Sequence, residues 1–574
     1  MNILGISGQE RDAAVALVRD GEVIAAIEEE KLSRVRHVGM SYGGGLPNQA
    51  IVFCLERGGI TIADVDCVAY YLEPQKLFHR EMAFRAAHAL DEPQTTSAEA
   101  VPDYFVETLN SLRERLKTRQ LIEAQLSNKA AFVEVNHQLA HAASAFYVSG
   151  FERSAIIIAN NRGDMSATSL MFGDGATIET QAEALYPHSL GMLYSAVSRA
   201  LGFGNDAHIV MWLSATGEPL YRKLFQDMLT VNEAGLPVVN LDYFEPSAKT
   251  TATLAELFYE KAGLKPRAKD EPPTTLHRNL AASLQAHLEE TLCDMATQHR
   301  KATGEDDLCL AGGVALNVLA NSQIERRAGF KRVFVQPAAG NAGCAIGAAL
   351  SVWHQTLGNI ERNYEMQHVF LGPQFDEEAI KSVLDNCKIG YEYFLTEEKL
   401  IAEVAGLLHE GKIVGWFRGA MEFGGRALGN RSILASPTDE FMRDNLNIFI
   451  KRREDFRPFS ASVPEERIQE FCEPSHLTRF LEAVSRVREE KRAAIPAAVF
   501  GDGLVRMHSV SRKTNPTFWK LLTKFGETGN VPVLLNTSFN LFGEPVVSTP
   551  REAVRGFYCS GIDCLAIGNF LIRK

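Results

Sequence analysis

The residues with the clearest capacity for chemistry lie in one stretch, 415–458, where basic side chains alternate with glycines and aromatics. It begins G-W-F-R-G-A-M-E-F-G-G-R-A-L-G-N-R-S and closes on K-R-R-E-D-F-R-P. Guanidinium groups bind phosphate and carboxylate through paired N–H donors, and glycine lets backbone N–H groups approach the same anion. A solvated basic helix face has little use for W-F or F-G-G, so the pattern favours a polyphosphate or acyl-phosphate site. Its cations are Arg418, Arg426, Arg431, Lys451, Arg452, Arg453 and Arg457.

Two histidines form the next candidate. His137 and His141 stand four residues apart after a predicted strand over 131–135. On a helix they share one face, and two imidazoles in that register can hold one divalent metal. The same spacing also fits a pair of hydrogen-bonded structural histidines, and both interpretations stay open.

Glycine-rich turns follow two predicted strands in the N-terminal half. The first, G-G-V-A-L-N, follows strand 308–311, and the second, P-A-A-G-N-A-G, follows strand 333–335. Such turns present backbone N–H groups and a helix N-terminus to an anion. They predict a nucleotide-type cleft that uses Gly312, Gly313, Asn317 and Gly340.

These turns need strands to position them, and the N-terminal half repeats one strand–turn–strand pattern. Apolar strands are predicted over 2–7, 14–18 and 23–28, and again over 154–159 and 167–172. Two such segments, each near the start of an α/β half, predict an internally duplicated fold.

Other elements flank the basic stretch. The segment 500–510 contains Arg506, and an apolar strand runs into N-T-S-F-N at 536–540. The segment C-L-A-I-G-N-F-L-I (564–572) is predicted as one final strand. Residues 218–300 are predicted to be helical and amphipathic, broken by a loop over the polar stretch 265–273.

Composition excludes several classes of protein. The chain has 574 residues, 46% of them hydrophobic, and a formal charge of −12. Its length predicts more than one domain, and its acidity argues against nonspecific nucleic-acid binding. No run of apolar residues is long enough for a membrane span, and the N-terminus lacks the features of a signal peptide. Nine scattered cysteines without a C-x-x-C pair suit a reducing cytoplasm.

Long motifs in order along the chain resemble the ATP-dependent O-carbamoyltransferases, a family that tailors antibiotics and nodulation factors. M-E-F-G-G-R-A-L-G-N-R-S-I-L-A, K-R-R-E-D-F-R-P-F and L-L-N-T-S-F-N are similar to its C-terminal half. Y-P-H-S-L-G, L-A-G-G-V-A-L-N and H-x-x-x-H-A-A-S-A-F-Y are similar to its N-terminal half. The resemblance covers nearly the whole chain.

The resemblance implies an α/β fold in two modules. Residues 1–355 would form an actin/hexokinase-like duplicated transfer domain, similar to the threonylcarbamoyl transferases. After a linker over 356–375, residues 376–574 would form an α+β domain similar to YrdC. Lys451-x-Arg453 and Ser538-x-Asn540 look like the K-x-R and S-x-N motifs of that second fold.

The resemblance also implies a two-step reaction. Carbamoyl phosphate and ATP, with Mg²⁺, would form carbamoyl-adenylate and pyrophosphate at the C-terminal module. The carbamoyl group would then pass to a small metabolite or sugar near Fe²⁺ or another divalent metal at His137 and His141. The implied catalytic residues are Lys451, Arg453, Arg426, Arg431, Arg457, Ser538 and Asn540. The implied nucleotide-binding residues are Arg418, Asn536, Thr537 and Arg506, together with the glycine turns. A homodimer is left open.

The N-terminal module departs from the family pattern. Arg11-Asp12-Ala13-Ala14 stands where H-D-S-A is usual, and Asn160-Asn161 stands for D-G. Asn341 replaces the aspartate that normally binds metal beside the two histidines, and an amide binds a divalent ion less strongly than a carboxylate does. Arg11, Asp12, Asn160 and Asn341 are therefore assigned to an altered acceptor site.

These departures leave alternatives. The acceptor is a hydroxyl or an amine, and the altered transfer site either binds a metal or does not. A different donor, another nucleotide-dependent ligase chemistry, or a non-catalytic homologue also stays open.

Overall fold

The computed structural model describes residues 1–41, 45–89, 103–126, 130–245, 252–265, 267 and 271–574. They divide into two compact units. The first unit comprises Met1–Ala26 and His37–Glu365, and the second comprises Ile27–Arg36 and Met366–Lys574. The predicted linker over 356–375 therefore contains the point at which the chain passes from the first unit to the second.

The described strands up to Glu365 alternate with helices. The strands are β1 (Asn2–Ser7), β2 (Ala14–Arg19), β3 (Glu22–Glu28), β4 (Cys67–Tyr70), β5 (Ala131–Glu134), β6 (Arg153–Ala159), β7 (Ser166–Asp174), β8 (Thr177–Leu185), β9 (Leu229–Val231), β10 (Pro237–Val239), β11 (Asp307–Ala311) and β12 (Arg332–Val335). The helices are α1 (Glu29–Ser33), α2 (Asn48–Gly58), α3 (Pro74–Ala89), α4 (Asp103–Leu126), α5 (His137–Phe146), α6 (Leu190–Ala200), α7 (Ala207–Ser214), α8 (Arg222–Met228), α9 (Glu256–Ala262), α10 (Thr275–Thr303), α11 (Val318–Arg327) and α12 (Gly343–Ser351).

Two five-stranded sheets of the first unit share one topology. Their strand orders are β3-β2-β1-β4-β5 and β8-β7-β6-β11-β12. In each, the first strand pairs antiparallel with the second, and parallel with a later strand that follows a helical excursion. The strands β1, β2 and β6 are buried along nearly their whole length, as expected for strands covered on both faces. The predicted α/β duplication is confirmed.

The helices α5 and α12 pack against each other and against the two sheets. The helix α5 follows the last strand of the first sheet but packs on β6 and β11 of the second, whereas α12 follows β12 and packs on β1, β2 and β4. Glycine permits the close crossing, because a Cβ at Gly347 would lie 1.7 Å from the carbonyl oxygen of Ala140. A Cβ at Gly5 would likewise lie 1.9 Å from the carbonyl oxygen of Ala345.

Two secondary-structure predictions were wrong in part. The region 218–300 was predicted to be helical, but its described residues include the antiparallel hairpin β9–β10; residues 246–251, 266 and 268–270 lie outside the described chain. The predicted single strand 564–572 is a hairpin instead. Gly568, with φ of 55°, makes the turn that an extended strand cannot contain.

The remaining elements belong to the second unit. The strands are β13 (Glu392–Tyr393), β14 (Val414–Phe417), β15 (Arg431–Ala435), β16 (Ser460–Pro464), β17 (Ser485–Arg486), β18 (Leu504–Val510), β19 (Leu534–Ser538), β20 (Cys564–Ile567) and β21 (Phe570–Arg573). The helices are α13 (Glu377–Asn386), α14 (Glu397–His409), α15 (Met442–Asn445), α16 (Pro516–Gly526) and α17 (Pro550–Tyr558).

One mixed sheet organises the second unit, in the order β13-β21-β20-β14-β15-β19-β16-β18-β17. Apolar cores lie on both of its faces. The helices α14 and α16 pack together over the core that contains Trp416 and Leu434, and α13 and α17 pack together over the core that contains Phe417 and Leu535. Side-chain caps start these helices: Thr396 begins α14, and Thr549 forms a capping box with Glu552 in α17. No helix in the described ranges is both long and apolar enough to cross a membrane.

Candidate functional site

The ammonium of Lys451 joins two distant motifs of the second unit. Lys451 ends a π-helical turn, and Arg452, with φ of 45°, then reverses the chain. The Lys451 Nζ donates to the Ser538 carbonyl at 2.7 Å and to the Asn540 Oδ1 at 2.7 Å, with the Ser538 Oγ at 3.3 Å and the Asn540 carbonyl at 3.2 Å. Four protein oxygens thus lie within reach of the three N–H donors of the ammonium.

Other cations surround Lys451. Burial lowers the pKa of Lys451 well below its ordinary 10.5, and the charges of Arg453 and Arg457 lower it further. Burial and Arg457 lower the pKa of Arg453 to about 9. Burial lowers the pKa of Arg426 to about 10, and the charge of Arg457 contributes to this lowering. A bound polyanion would stabilise these crowded and buried positive charges.

A buried carboxylate partly balances these charges. Glu482 is 8% exposed and interacts electrostatically with Arg426 and with Arg506, whose guanidinium donates to the Leu481 carbonyl. Burial raises the pKa of Glu482 well above its ordinary range, while the two arginines oppose that rise. Sequence reasoning missed Glu482, because it lies outside the basic stretch and outside both motifs.

Polar side chains of neighbouring strands lie beside this cluster. In the sheet register, Ser460 pairs with Asn536 on one side and with Arg506 on the other. The Asn536 Nδ2 donates to the Ala427 carbonyl at 3.2 Å and to the Ser462 Oγ at 3.1 Å. The Asn536 Oδ1 is buried and has no hydrogen-bond partner among the described residues, so it is a candidate acceptor for a ligand donor.

His508 is part of the same network. Its Nδ1 lies 2.9 Å from the Ser462 Oγ, and burial lowers its pKa to about 3. A neutral imidazole there orients the Ser462 hydroxyl rather than adding charge. Thr537 pairs with Ile433 of β15 and is half-buried at the same strand end as Ser538.

Two of the predicted arginines are engaged by the protein itself. The Arg431 guanidinium is fully buried and donates to the carbonyls of Arg418 at 2.7 Å, Gly419 at 3.1 Å and Pro373 at 2.9 Å. Arg418 pairs with Glu397 at 3.0 Å and donates to the Gly568 carbonyl. These contacts favour structural roles for Arg431 and Arg418 over the ligand contacts that the spacing predicts.

The glycine-rich loop 422–430 is clamped from two sides. The Glu422 Oε1 accepts hydrogen bonds from the backbone N–H groups of residues 428, 430 and 431 at 2.8–3.2 Å. The Lys31 Nζ donates to the carbonyls of Glu422 and Gly424 at 2.8 Å each and pairs with Glu28 at 2.8 Å. The Glu28 Oε1 accepts from the Gly424 N–H at 2.8 Å. A buried ion pair from residues 27–36 therefore fixes the loop that bears Arg426.

In the first unit, Asn160 connects to the first glycine turn. The Asn160 Oδ1 accepts from the Gly313 N–H at 2.9 Å. Gly312 adopts a φ of 90°, and a Cβ there would lie 2.4 Å from the Ala159 carbonyl oxygen. No described atom beyond the chain neighbours lies within 4 Å of a Cβ built at Gly313 or Gly340, so both face open space. Asn317, in contrast, caps α11 through a hydrogen bond from Ala320 N–H at 3.0 Å.

Arg11, Asp12 and Asn341 lie together in this unit. The Asp12 carboxylate contacts the Arg11 Nε at 3.0 Å and the His37 Nδ1 at 2.6 Å. Burial raises the pKa of Asp12, but the hydrogen bond and charge of His37 and those of Arg11 outweigh it, so the pKa is lowered overall. The Asn341 Nδ2 donates to the Arg11 carbonyl at 3.4 Å. The structure thus brings three of the four predicted acceptor residues together.

The two predicted metal histidines share one face of α5, with ring centroids 4.8 Å apart. His137 is 6% exposed and His141 is fully buried, and all four ring nitrogens lack hydrogen-bond partners among the described residues. The Cys344 thiol completes a group whose ligand atoms all lie within 4.8 Å of one another. Sequence reasoning did not single out Cys344, since a cysteine in a small-residue helix is typical of apolar packing.

Comparisons with known proteins find matches over most of the chain. A family model described as "Carbamoyltransferase N-terminus" matches residues 2–350, and one described as "Carbamoyltransferase C-terminus" matches residues 405–574. An uncharacterised protein of Synechocystis is 35% identical over 100% of this chain and 97% of its own length. Nodulation protein NolNO of Sinorhizobium fredii is 35% identical over 98% of this chain and 79% of its own length. A crystal structure of HypF from T. kodakarensis aligns with a TM-score of 0.36 at 13% identity, over 63% of this chain and 48% of that one.

Proposed function

Because this chain belongs to the carbamoyltransferase family, we propose that it is an ATP-dependent enzyme that carbamoylates a small metabolite or sugar. In the proposed reaction the second unit activates the carbamoyl group as carbamoyl-adenylate. In the first unit, a hydroxyl or amine of the acceptor then attacks the carbamoyl carbon, the bond to the phosphate oxygen breaks, and AMP and the acceptor's proton are released. Family membership supports carbamoyl transfer, and the site residues support the finer steps as follows.

The contact of Lys451 with Ser538 and Asn540, inside a cluster of arginines, carries the proposal for the second unit. ATP and carbamoyl phosphate are both anions, and their reaction requires cations that offset repulsion and hold the reacting atoms in line. Lys451, Arg453, Arg457, Arg426 and Arg506 supply those charges. The Asn536 Oδ1, which is buried without a partner in the described chain, suits the amino group of the carbamoyl moiety.

The activation step consists of two successive reactions. Water releases inorganic phosphate from carbamoyl phosphate and leaves carbamate. A carbamate oxygen attacks the α-phosphorus of ATP, the bond from that phosphorus to the β-phosphate oxygen breaks, and pyrophosphate leaves. Positive charge at Lys451 and Arg453 stabilises the transition state more than the ground state if it lies where negative charge develops.

For the first unit, the residues present fit a divalent metal. Two buried imidazoles without partners in the described chain are the donors that such an ion needs. A metal bound there would supply a Lewis acid for the carbamoyl carbonyl. His137 and His141 would hold it, the open space at Gly313 and Gly340 would admit the nucleotide, and Arg11 and Asp12 would bind the acceptor.

The activation step is testable without the acceptor. The full chain should release pyrophosphate from ATP only when carbamoyl phosphate is present, and Lys451→Ala should abolish that release. Lys524→Ala is a matched control, because Lys524 is a solvent-exposed lysine of the same unit that pairs with Glu527. Unchanged release by Lys451→Ala, or release that is independent of carbamoyl phosphate, would refute the assignment of the second unit.

A further inference from the structure

We propose that Cys344 is a metal ligand together with His137 and His141, so that the first unit contains a His₂Cys site for a thiophilic divalent ion such as Zn²⁺. The inference deepens the metal site of the proposed function. It concerns metal binding alone, and it can therefore fail or hold whether or not the chain transfers a carbamoyl group.

The imidazoles of His137 and His141 lack, within the described chain, the partners that buried polar groups normally have. Both rings are buried, and their nitrogens find no hydrogen-bond partner in the part of the chain that the structure describes. Leaving a buried polar group unpaired destabilises the folded state. A bound ion would give each ring one strong partner. Simple packing would leave both rings unsatisfied, because the contact that His137 makes with Tyr71 is a ring contact, with centroids 5.2 Å apart.

The three ligand atoms are close enough together to share one ion. One nitrogen of each histidine and the Cys344 Sγ all lie within 4.8 Å of one another. In a tetrahedral zinc site, bonds of about 2.1 Å to nitrogen and 2.3 Å to sulfur separate the ligand atoms by about 3.4–3.6 Å. A side-chain movement of about an ångström therefore closes the group on an ion.

The position of the Cys344 thiol follows from the way in which two helices cross. Cys344 lies in the first turn of α12, and α12 crosses α5 so closely that Gly347 cannot accept a Cβ without meeting the Ala140 carbonyl oxygen at 1.7 Å. This crossing brings the thiol to the histidines. Burial raises the pKa of the Cys344 thiol well above its ordinary range, so a bound ion must displace the thiol proton.

The ligand types set the preferred ion. On binding, the Cys344 thiol loses its proton to solvent, and two neutral imidazoles with one thiolate leave a net charge of +1 on a divalent centre. Asn341, a neutral amide, hydrogen-bonds the Arg11 carbonyl instead. A thiolate disfavours Mg²⁺ and Ca²⁺ and suits Zn²⁺ or Co²⁺. Three protein ligands also leave a fourth position open, as in catalytic rather than structural zinc sites.

The test uses the full chain, stripped with a chelator and titrated with Zn²⁺ or Co²⁺. Elemental analysis should find one tightly bound ion per chain. The Co²⁺ form should show a near-ultraviolet sulfur-to-cobalt charge-transfer band, which arises only when a thiolate is a ligand. Cys344→Ser should remove the band and weaken metal binding by about 100-fold or more, since loss of outer-sphere partners alone costs 10–100-fold.

Controls separate a ligand from a folding effect. Cys54→Ser removes another buried thiol of the same unit and should keep the band. Cys344→Asp should still bind one ion but without the band, and this variant keeps the test decisive if Cys344→Ser does not fold. A chain that binds no ion, a Co²⁺ form without the band, or a Cys344→Ser variant that keeps both band and affinity would overturn the proposal. Pyrophosphate release, which depends on the second unit, should be unaffected by Cys344→Ser.

Discussion

The Lys451 Nζ lies 2.7 Å from the Asn540 Oδ1, although the two residues are 89 positions apart. The same Oδ1 accepts from the Ser538 Oγ at 2.7 Å, and the Asn540 Nδ2 donates to the Glu544 carbonyl at 2.7 Å. Asn540 therefore orients both the ammonium and the hydroxyl that we assign to the activation step. The first prediction concerns this residue.

Asn540→Asp keeps the oxygen that accepts from Lys451, but it adds a negative charge among the cations and loses the donor to Glu544. We expect the KM for ATP or carbamoyl phosphate in pyrophosphate release to rise by about tenfold, which is about 1.4 kcal/mol of lost binding. Steady-state kinetics at fixed ionic strength measure this. Asn530→Asp is a control on an exposed turn of the same unit, and equal effects of the two changes would contradict the role of Asn540.

The second prediction concerns pH. The activation step needs the Lys451 ammonium, whose pKa burial lowers well below 10.5. Activity should therefore fall as pH rises through that lowered pKa, before 10.5 is reached. Between the two pKa values the unfolded chain binds more protons at this residue than the folded chain does, so the contribution of Lys451 to stability rises with pH in the same window.

The pH profile of kcat/KM for pyrophosphate release, with denaturant unfolding measured in parallel, checks both signs. In Lys451→Arg, the alkaline fall should move to higher pH, because a guanidinium keeps its proton. A fall at the same pH in the variant would assign it to another group.

The third prediction compares two arginines. Arg431 is fully buried against backbone carbonyls, whereas Arg426 is only partly buried at a site of concentrated charge. Arg431→Lys should destabilise the second unit by about 2–4 kcal/mol through unpaired carbonyls. Arg426→Lys should leave stability nearly unchanged and raise the KM for the anionic substrates. A loss of stability in Arg426→Lys, together with a raised KM and unchanged stability in Arg431→Lys, would refute these roles.

The fourth prediction concerns the buried pair that clamps the glycine loop. Lys31→Met leaves Glu28 buried without its cation, and breaking a buried ion pair in this way typically costs about 3–5 kcal/mol. Adding Glu28→Gln should recover part of the loss, because no charge then remains buried. A double-mutant cycle on the denaturant midpoint measures the coupling. Additive effects would show that the two residues do not act as a pair.

The fifth prediction uses two glycines of the first unit. Gly347→Ala would place a Cβ 1.7 Å from the Ala140 carbonyl oxygen and should destabilise the unit by about 3 kcal/mol or more. It should also weaken metal binding, since α12 must shift. Gly313→Ala meets open space and should leave thermal stability nearly unchanged. Equal melting temperatures for Gly347→Ala and the unchanged chain would contradict the close crossing.

Much of the fold could be predicted because it depends on local patterns. Continuous apolar strands separated by short turns indicate sheets covered on both faces, and the repetition of one strand–turn–strand pattern indicates the duplication. The hairpin β9–β10 was missed because its strands are only three residues long. The final hairpin was missed because one glycine between apolar runs was interpreted as part of a strand.

The candidate sites were predictable only where a motif carries the chemistry. Residue types alone could not separate Arg426 from Arg431, because the difference lies in which carbonyls surround each guanidinium. Glu482 and Cys344 could not be found from spacing. Glu482 gains its charge partners, Arg426 and Arg506, from a distant loop and a distant strand, and Cys344 meets the histidines only because α5 and α12 cross.

Residues 27–36 belong to the second unit although they are synthesised long before the rest of it. Lys31 leaves the ribosome 393 residues before Gly424, the glycine whose carbonyl it binds. Its contacts with the glycine loop can form only after residue 424 has been synthesised. A gene split at residue 366 would encode a C-terminal fragment without Glu28 and Lys31, and we expect the glycine loop of that fragment to order only when the missing segment is supplied as a peptide.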